Sequence, residues 1–147
     1  MKAIDVDLSK YFCCVKYFEK GNHCTPNPGE KEILHALTQV QSEIDDVTRT
    51  VEILRMPNDD SVVNKYRMQF QGEKDKFLIL LMKDSEIFAT PAFDIILGKR
   101  GTIEVIGDEW GSNQICTEFS IVQSIAFSFC CNGKLAFPEI WTIWGDQ

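Results

Sequence analysis

Cysteine and histidine are the side chains through which this sequence could carry out chemistry, and their order is suggestive. Cys13 and Cys14 are adjacent, His23-Cys24 follows, Cys116 stands alone, and Cys130-Cys131 forms a second adjacent pair. A Cys/His pair can serve as nucleophile and base, and a Cys/His cluster can ligate zinc. Neither chemistry is well served here. Direct neighbours seldom meet as nucleophile and base, no third orienting group stands near His23, and no C-x-x-C spacing occurs. Cys130 and Cys131 fall at the C-terminal end of an expected helix, where the dipole disfavours a thiolate. Small buried hydrophobes in a reducing compartment are the plainer expectation for the six cysteines. A Cys/His enzyme built on Cys13, Cys14, His23 and Cys24 is the weakest alternative.

Other enzyme signatures are missing. The sequence has no G-x-G-x-x-G, phosphate loop, H-E-x-x-H or G-x-S-x-G. His35 falls on the polar side of an expected helix, a poor place for a general base. No carboxylate stands in an apolar segment that would raise its pKa toward that of a catalytic acid. The expectation is therefore no catalytic residue, no metal site and no cofactor.

The elements that would position any site follow from periodicity. Tyr11 to Phe18 reads as a first strand, and the polar segment 19–29 as a loop. Asn27 as N-cap, Pro28 at the first helical position and Glu30 in capping-box spacing predict a helix to about Asp45. Ile33, Leu34, Leu37, Val40 and Ile44 form its apolar stripe. Val51 and Ile53 alternate with polar residues in a strand that Pro57 closes. Tyr66, Met68 and Phe70 alternate in another. The run Phe77 to Met82 reads as a central strand covered on both faces. Glu86 to Ala89 predicts a short strand, and 93–97 and 102–106 a hairpin around Gly98-Lys99-Arg100-Gly101. A second helix is expected from Glu118 to Cys131, stopped by Asn132-Gly133. Phe127 falls on its polar face, so it must be covered or available for contact. Trp141 and Trp144 suggest a docked tail. This order predicts one α+β domain over 1–147, with a mostly antiparallel sheet of about five to six strands and two main helices.

Composition supports a single globular unit. The chain has 147 residues, 44% hydrophobic and 25% charged, which suffices for one core without disulfides or metal. The longest apolar run, Phe77 to Met82, is far short of the roughly 20 residues a membrane helix requires. The N-terminal residues carry early acids and no apolar stretch, so the expected location is the cytosol. The net charge of −7 argues against nucleic acid as a partner and for a basic protein. That charge is uneven. Residues 101–147 carry six acids, one base and all three tryptophans. Charges are usually just solvated, yet aromatic anchors ringed by acids are also how a binding face is built.

The C-terminal layout resembles the small acidic immunity proteins of bacterial toxin systems, contact-dependent growth inhibition among them. The residues that carry the likeness are Gly107-Asp108-Glu109-Trp110 after a strand, the helix Glu118–Cys131 running into Asn132-Gly133-Lys134-Leu135, and Ile140-Trp141 at the close. The resemblance implies a non-catalytic cytosolic protein that binds and neutralises one cognate toxin domain, often a nuclease with a basic cleft. Carboxylates would occupy the positions phosphates take. Asp108, Glu109 and Trp110, together with Asp59 and Asp60, are the residues expected to contact that partner. The competing expectation is a structural or adaptor subunit associating through Phe127 and the tryptophan tail.

Overall fold

The computed structural model describes residues 11–18, 22–41, 49–57, 65–73, 75–105 and 107–144. Its frame is one antiparallel sheet. In chain order the strands are β1 (Tyr11–Phe18), β2 (Asn22–Pro26), β3 (Arg49–Pro57), β4 (Tyr66–Glu73), β5 (Lys76–Lys83), β6 (Glu86–Pro91), β7 (Thr102–Val105), β8 (Asp108–Gly111), β9 (Ile115–Cys116) and β10 (Trp141–Ile143). The helices are α1 (Glu30–Gln41), α2 (Asp94–Leu97) and α3 (Phe119–Phe127), the last continuing as a π-helical turn over Ser128–Asn132. The main sheet runs β10-β6-β5-β4-β3-β1-β2, with β9 on β5 beyond the end of β6, and β7-β8 form a separate ribbon. Every described pairing is antiparallel.

The α+β class and the antiparallel sheet agree with the expectation; the strand number does not. The main sheet alone has eight strands instead of five to six. The additional strands are short or polar, and so lack the alternation that advertises a half-buried strand. Asn22–Pro26, expected as loop, pairs with Cys14–Phe18 as an edge strand. The expected hairpin around residues 98–101 is replaced by the single turn α2 and the ribbon β7-β8, whose strands meet around Gly107.

Among the described residues, α1 and α3 pack on the same face of the sheet. α1 packs on β1, β3, β4 and α3, while α3 and its π turn reach β9, β3 and β1. Register aligns the inward residues of adjacent strands: Val15 opposite Ile53, Ile53 opposite Met68, Met68 opposite Leu81, and Leu81 opposite Ala89. All five are buried, as are Phe70, Phe77 and Ile79 beside them. Against them lie Ile33, Ala36, Leu37 and Val40 of α1 and Val122, Ile125, Ala126 and Phe129 of the second helical segment. Leu34, placed on the α1 stripe by the sequence, is 37% exposed. Ala36 takes its place, because helical spacing from Ile33 points at 36, 37 and 40. Ile44 lies outside the described residues. At the start of α1 the Gly29 carbonyl accepts the Ile33 N–H, and the Glu32 carboxylate accepts the Gly29 N–H at 3.1 Å. The cap is therefore Gly29 with Glu32, two residues beyond the expected Asn27 and Glu30.

The second face of β5 is only half-covered: Leu78, Leu80 and Met82 are partly exposed, in contrast to the burial expected on both sides. Phe127 packs against the core at its margin. The stop at Gly133 appears as expected, with φ of 66° and its N–H on the Phe129 carbonyl. The tail does dock. Trp141 is fully buried on β10, which pairs with β6.

Candidate functional site

Strand alternation decides which of the expected chemical groups meet. Cys13 and Cys14 point to opposite faces of β1, and the β1–β2 register sets Lys16 opposite Cys24 and Tyr17 opposite His23. Cys14 and Cys24 thus share the outer face, while Cys13 and His23 share the inner one. The proposed Cys/His cluster is split by the pleat. His23 stacks on Tyr17 with ring centroids 5.0 Å apart, and His35 of α1 meets the same ring edge-on at 5.7 Å. Both histidines converge on one tyrosine, which their distant sequence positions did not suggest. Among the described residues no group of three or more His, Cys, Asp or Glu is arranged to hold a metal ion.

The acidic ribbon is also rearranged by alternation. On β7-β8, Glu104 pairs with Glu109, Ile103 with Trp110, and Val105 with Asp108. Glu109 therefore faces Glu104 on one side of the ribbon. Asp108 lies on the other side with Val105, Ile103 and the half-buried Trp110. Glu104, Asp108 and Glu109 are all exposed. The expected Asp108/Glu109 cluster is thus two separate features, and Glu104 is the member that linear reading missed. The missing signal was a hairpin register that aligns 104 with 109. Asp59 and Asp60 lie outside the described residues.

Arg100 fixes the segment after this ribbon. Its guanidinium donates to the carbonyls of Ser112 and Ile115, both at 2.8 Å, and to the Thr117 hydroxyl at 2.6 Å. Ser112 in turn donates to Asp94 at 2.7 Å, and the Phe93 N–H bonds the Asn113 carbonyl. So held, Asn113 and Gln114 form one wall of a groove on the face of the sheet opposite α1 and α3. Its volume is about 400 Å³, and Leu78, Leu80, Ile87, Thr90 and Trp144 line the rest. Ile87 is 48% and Trp144 65% exposed, and the Trp144 ring N–H is anchored on the Thr90 hydroxyl. The Gln114 side-chain carbonyl accepts the Gly111 N–H, so the groove wall adjoins the end of β8, two residues from Glu109.

Inside the helix-covered layer lies a different kind of chemistry. Cys13 Sγ and Cys130 Sγ are 2.8 Å apart and both buried. Arg55, the cross-strand partner of Cys13, is also buried and donates to the Phe129 and Cys130 carbonyls in the π turn. The hydrogen bond from Cys130 holds the Cys13 thiol below its ordinary value, and the Arg55 charge adds to the effect. The same contact, with burial, pushes Cys130 up. Burial pushes Cys14 up to about 12 and Cys116 up to about 11.

A helix-faced, mostly antiparallel sheet with an acidic ribbon and an apolar groove defines a small α+β protein. The chain belongs to a family of unknown function (DUF6911), whose model matches residues 10–137. It is similar in fold to a hypothetical protein from Neisseria gonorrhoeae, with 18% sequence identity, a TM-score of 0.58, and coverage of 88% of this chain and 94% of that one. No curated protein sequence matches it. No helix among the described residues is long and apolar enough to cross a membrane.

Proposed function

We propose that this protein is a non-catalytic binding protein: an immunity protein that captures and neutralises a basic toxin domain, a nuclease being the class whose cleft best suits it. The observation that carries the reading is the cross-strand pairing of exposed Glu104 with exposed Glu109. Like charges directly opposite on a ribbon destabilise it by roughly 0.2–1 kcal/mol. A cationic partner turns that internal repulsion into attraction and accelerates the encounter. The adjoining groove supplies what charge cannot. Ile87 and Trp144 offer apolar surface to be desolvated at the centre of an interface. The site of action is the bacterial cytosol, where such a toxin would arrive.

The test is direct binding between this protein and the toxin domain encoded beside its gene, measured by calorimetry and by growth rescue on co-expression. Submicromolar binding lost in high salt is the expected result. No binding, with no rescue, would discard the immunity reading. An adaptor role is favoured by one observation, the exposure of Trp144 and Ile87 together. A dimeric mass in solution that becomes monomeric in Trp144→Ala would select it.

A further inference from the structure

The groups that the proposed partner face leaves unused are the buried thiols. Cys13 and Cys130 come from opposite ends of the chain, 117 residues apart, yet their sulfurs sit 2.8 Å from each other. A disulfide bond is about 2.05 Å long, so the sulfurs need to approach by less than about 1 Å. Arg55 lies against the pair from β3, and its guanidinium fixes the π turn that carries Cys130 by bonding that residue's own carbonyl. A thiol made more acidic by the hydrogen bond of a second thiol in contact with it, with a guanidinium beside both, is the arrangement of a sulfur that reacts and a sulfur that resolves. Access is narrow but present: the two residues retain 5% and 4% of their surface, and Cys131, next in the chain, is exposed.

We propose that Cys13 and Cys130 are a reversible dithiol–disulfide site, oxidised by a small peroxide, that locks β1 to the π turn after α3. The Cys13 thiolate attacks one oxygen of hydrogen peroxide; the O–O bond breaks, and the departing hydroxide takes up the proton Cys13 released, leaving as water. Cys13 is then a sulfenic acid. The Cys130 sulfur attacks the Cys13 sulfur, the S–O bond breaks, and hydroxide leaves with the Cys130 proton as a second water. Two thiols lose two electrons and two protons, and one peroxide becomes two waters. A small dithiol reductant reverses the bond by exchange. The link closes nearly the whole chain into a loop, so oxidation stabilises the fold.

The experiment treats the intact protein with a few equivalents of hydrogen peroxide, blocks remaining thiols, and maps the peptides by mass spectrometry. The expected result is a loss of two hydrogens, a peptide joining Cys13 to Cys130, and a melting temperature raised by about 10 °C. Cys24→Ser keeps the gain; Cys130→Ser abolishes it, with Cys130→Ala as substitute if the serine unfolds the protein. Recovery of Cys13 and Cys130 as free thiols while Cys24 or Cys131 is oxidised overturns the proposal. So does a link confined to Cys14 and Cys24, or a gain that Cys24→Ser removes.

Discussion

The two faces of the main sheet are made by the same strands, and they obey different rules. On the helix-covered face every inward position from Val15 across to Ala89 is filled and buried. On the other face the middle strands carry an ion pair, Arg67 with Glu52 at 3.1 Å, with Gln69 and Gln71 beside it and Leu54 opposite Arg67. Toward β6 and β10 the same face gathers Leu78, Leu80, Ile87 and Trp144 around the groove. Burial accounts for the first face and hydration for the middle of the second. Neither accounts for the apolar end, and that leftover is what the proposed binding function rests on.

Perturbing the covered face has the largest expected effect. Phe70→Ala should lower stability by about 3–5 kcal/mol in denaturant unfolding, since a fully buried ring is lost from between the layers. A loss below 1 kcal/mol would mean the layer is not close-packed. Next is Arg55→Met, which strips two π-turn carbonyls of their donor and should destabilise by about 3 kcal/mol. An unchanged unfolding midpoint would count against the buried guanidinium as a tie between sheet and π turn.

Alkaline pH offers a third probe of the same layer. Cys116 ionises at about 11 in the folded state against an ordinary 9.0. Above 9 the unfolded chain releases this proton while the native one keeps it, so stability falls as pH rises from about 9 to 11. The loss is of the order of 2 kcal/mol, and Cys116→Ala should flatten this part of the profile. A profile identical in the variant and the parent would show that the thiol is not desolvated.

Effects on the other face are smaller in stability and sharper in binding. Glu109→Lys should weaken toxin binding by roughly tenfold, about 1.4 kcal/mol. It should also raise stability slightly by relieving the repulsion from Glu104. Equal weakening by Asp108→Lys would mean that the two sides of the ribbon act together. Trp144→Ala should change stability by less than about 1 kcal/mol, given its exposure and single hydrogen bond. A larger loss would move Trp144 from the partner face into the fold's own structure.

What could be read in advance divides along the same line. Strands β1, β3, β4 and β5 and both long helices were visible because one face is packed, and packing imposes a period. Edge strand β2 and the ribbon strand β8 have little packed surface and so left no periodic trace, while β7 falls within the strand expected over 102–106. Which residues face one another depends on pairing register, which hairpin geometry sets and composition does not. That is why Asp108 and Glu109, neighbours in the chain, lie on opposite sides of the ribbon, while Glu104 and Glu109 stand together. It is equally why Cys13 separates from Cys14 and meets Cys130.

The meeting of Cys13 with Cys130, and of Trp141 on β10 with β6, has a consequence for how the molecule comes into being. Sheet and helix layer are closed by segments that follow, in the chain, the strands they meet. Until residues 119–132 have been made, α1 alone covers the sheet, and the part of the apolar face that α3 and its π turn meet stays open. Contacts of such long sequence separation form slowly, and an uncovered sheet invites association with other chains meanwhile. The growing polypeptide is therefore vulnerable until α3 and its π turn have emerged, and its safety rests on the speed with which they fold back onto β1 and β3.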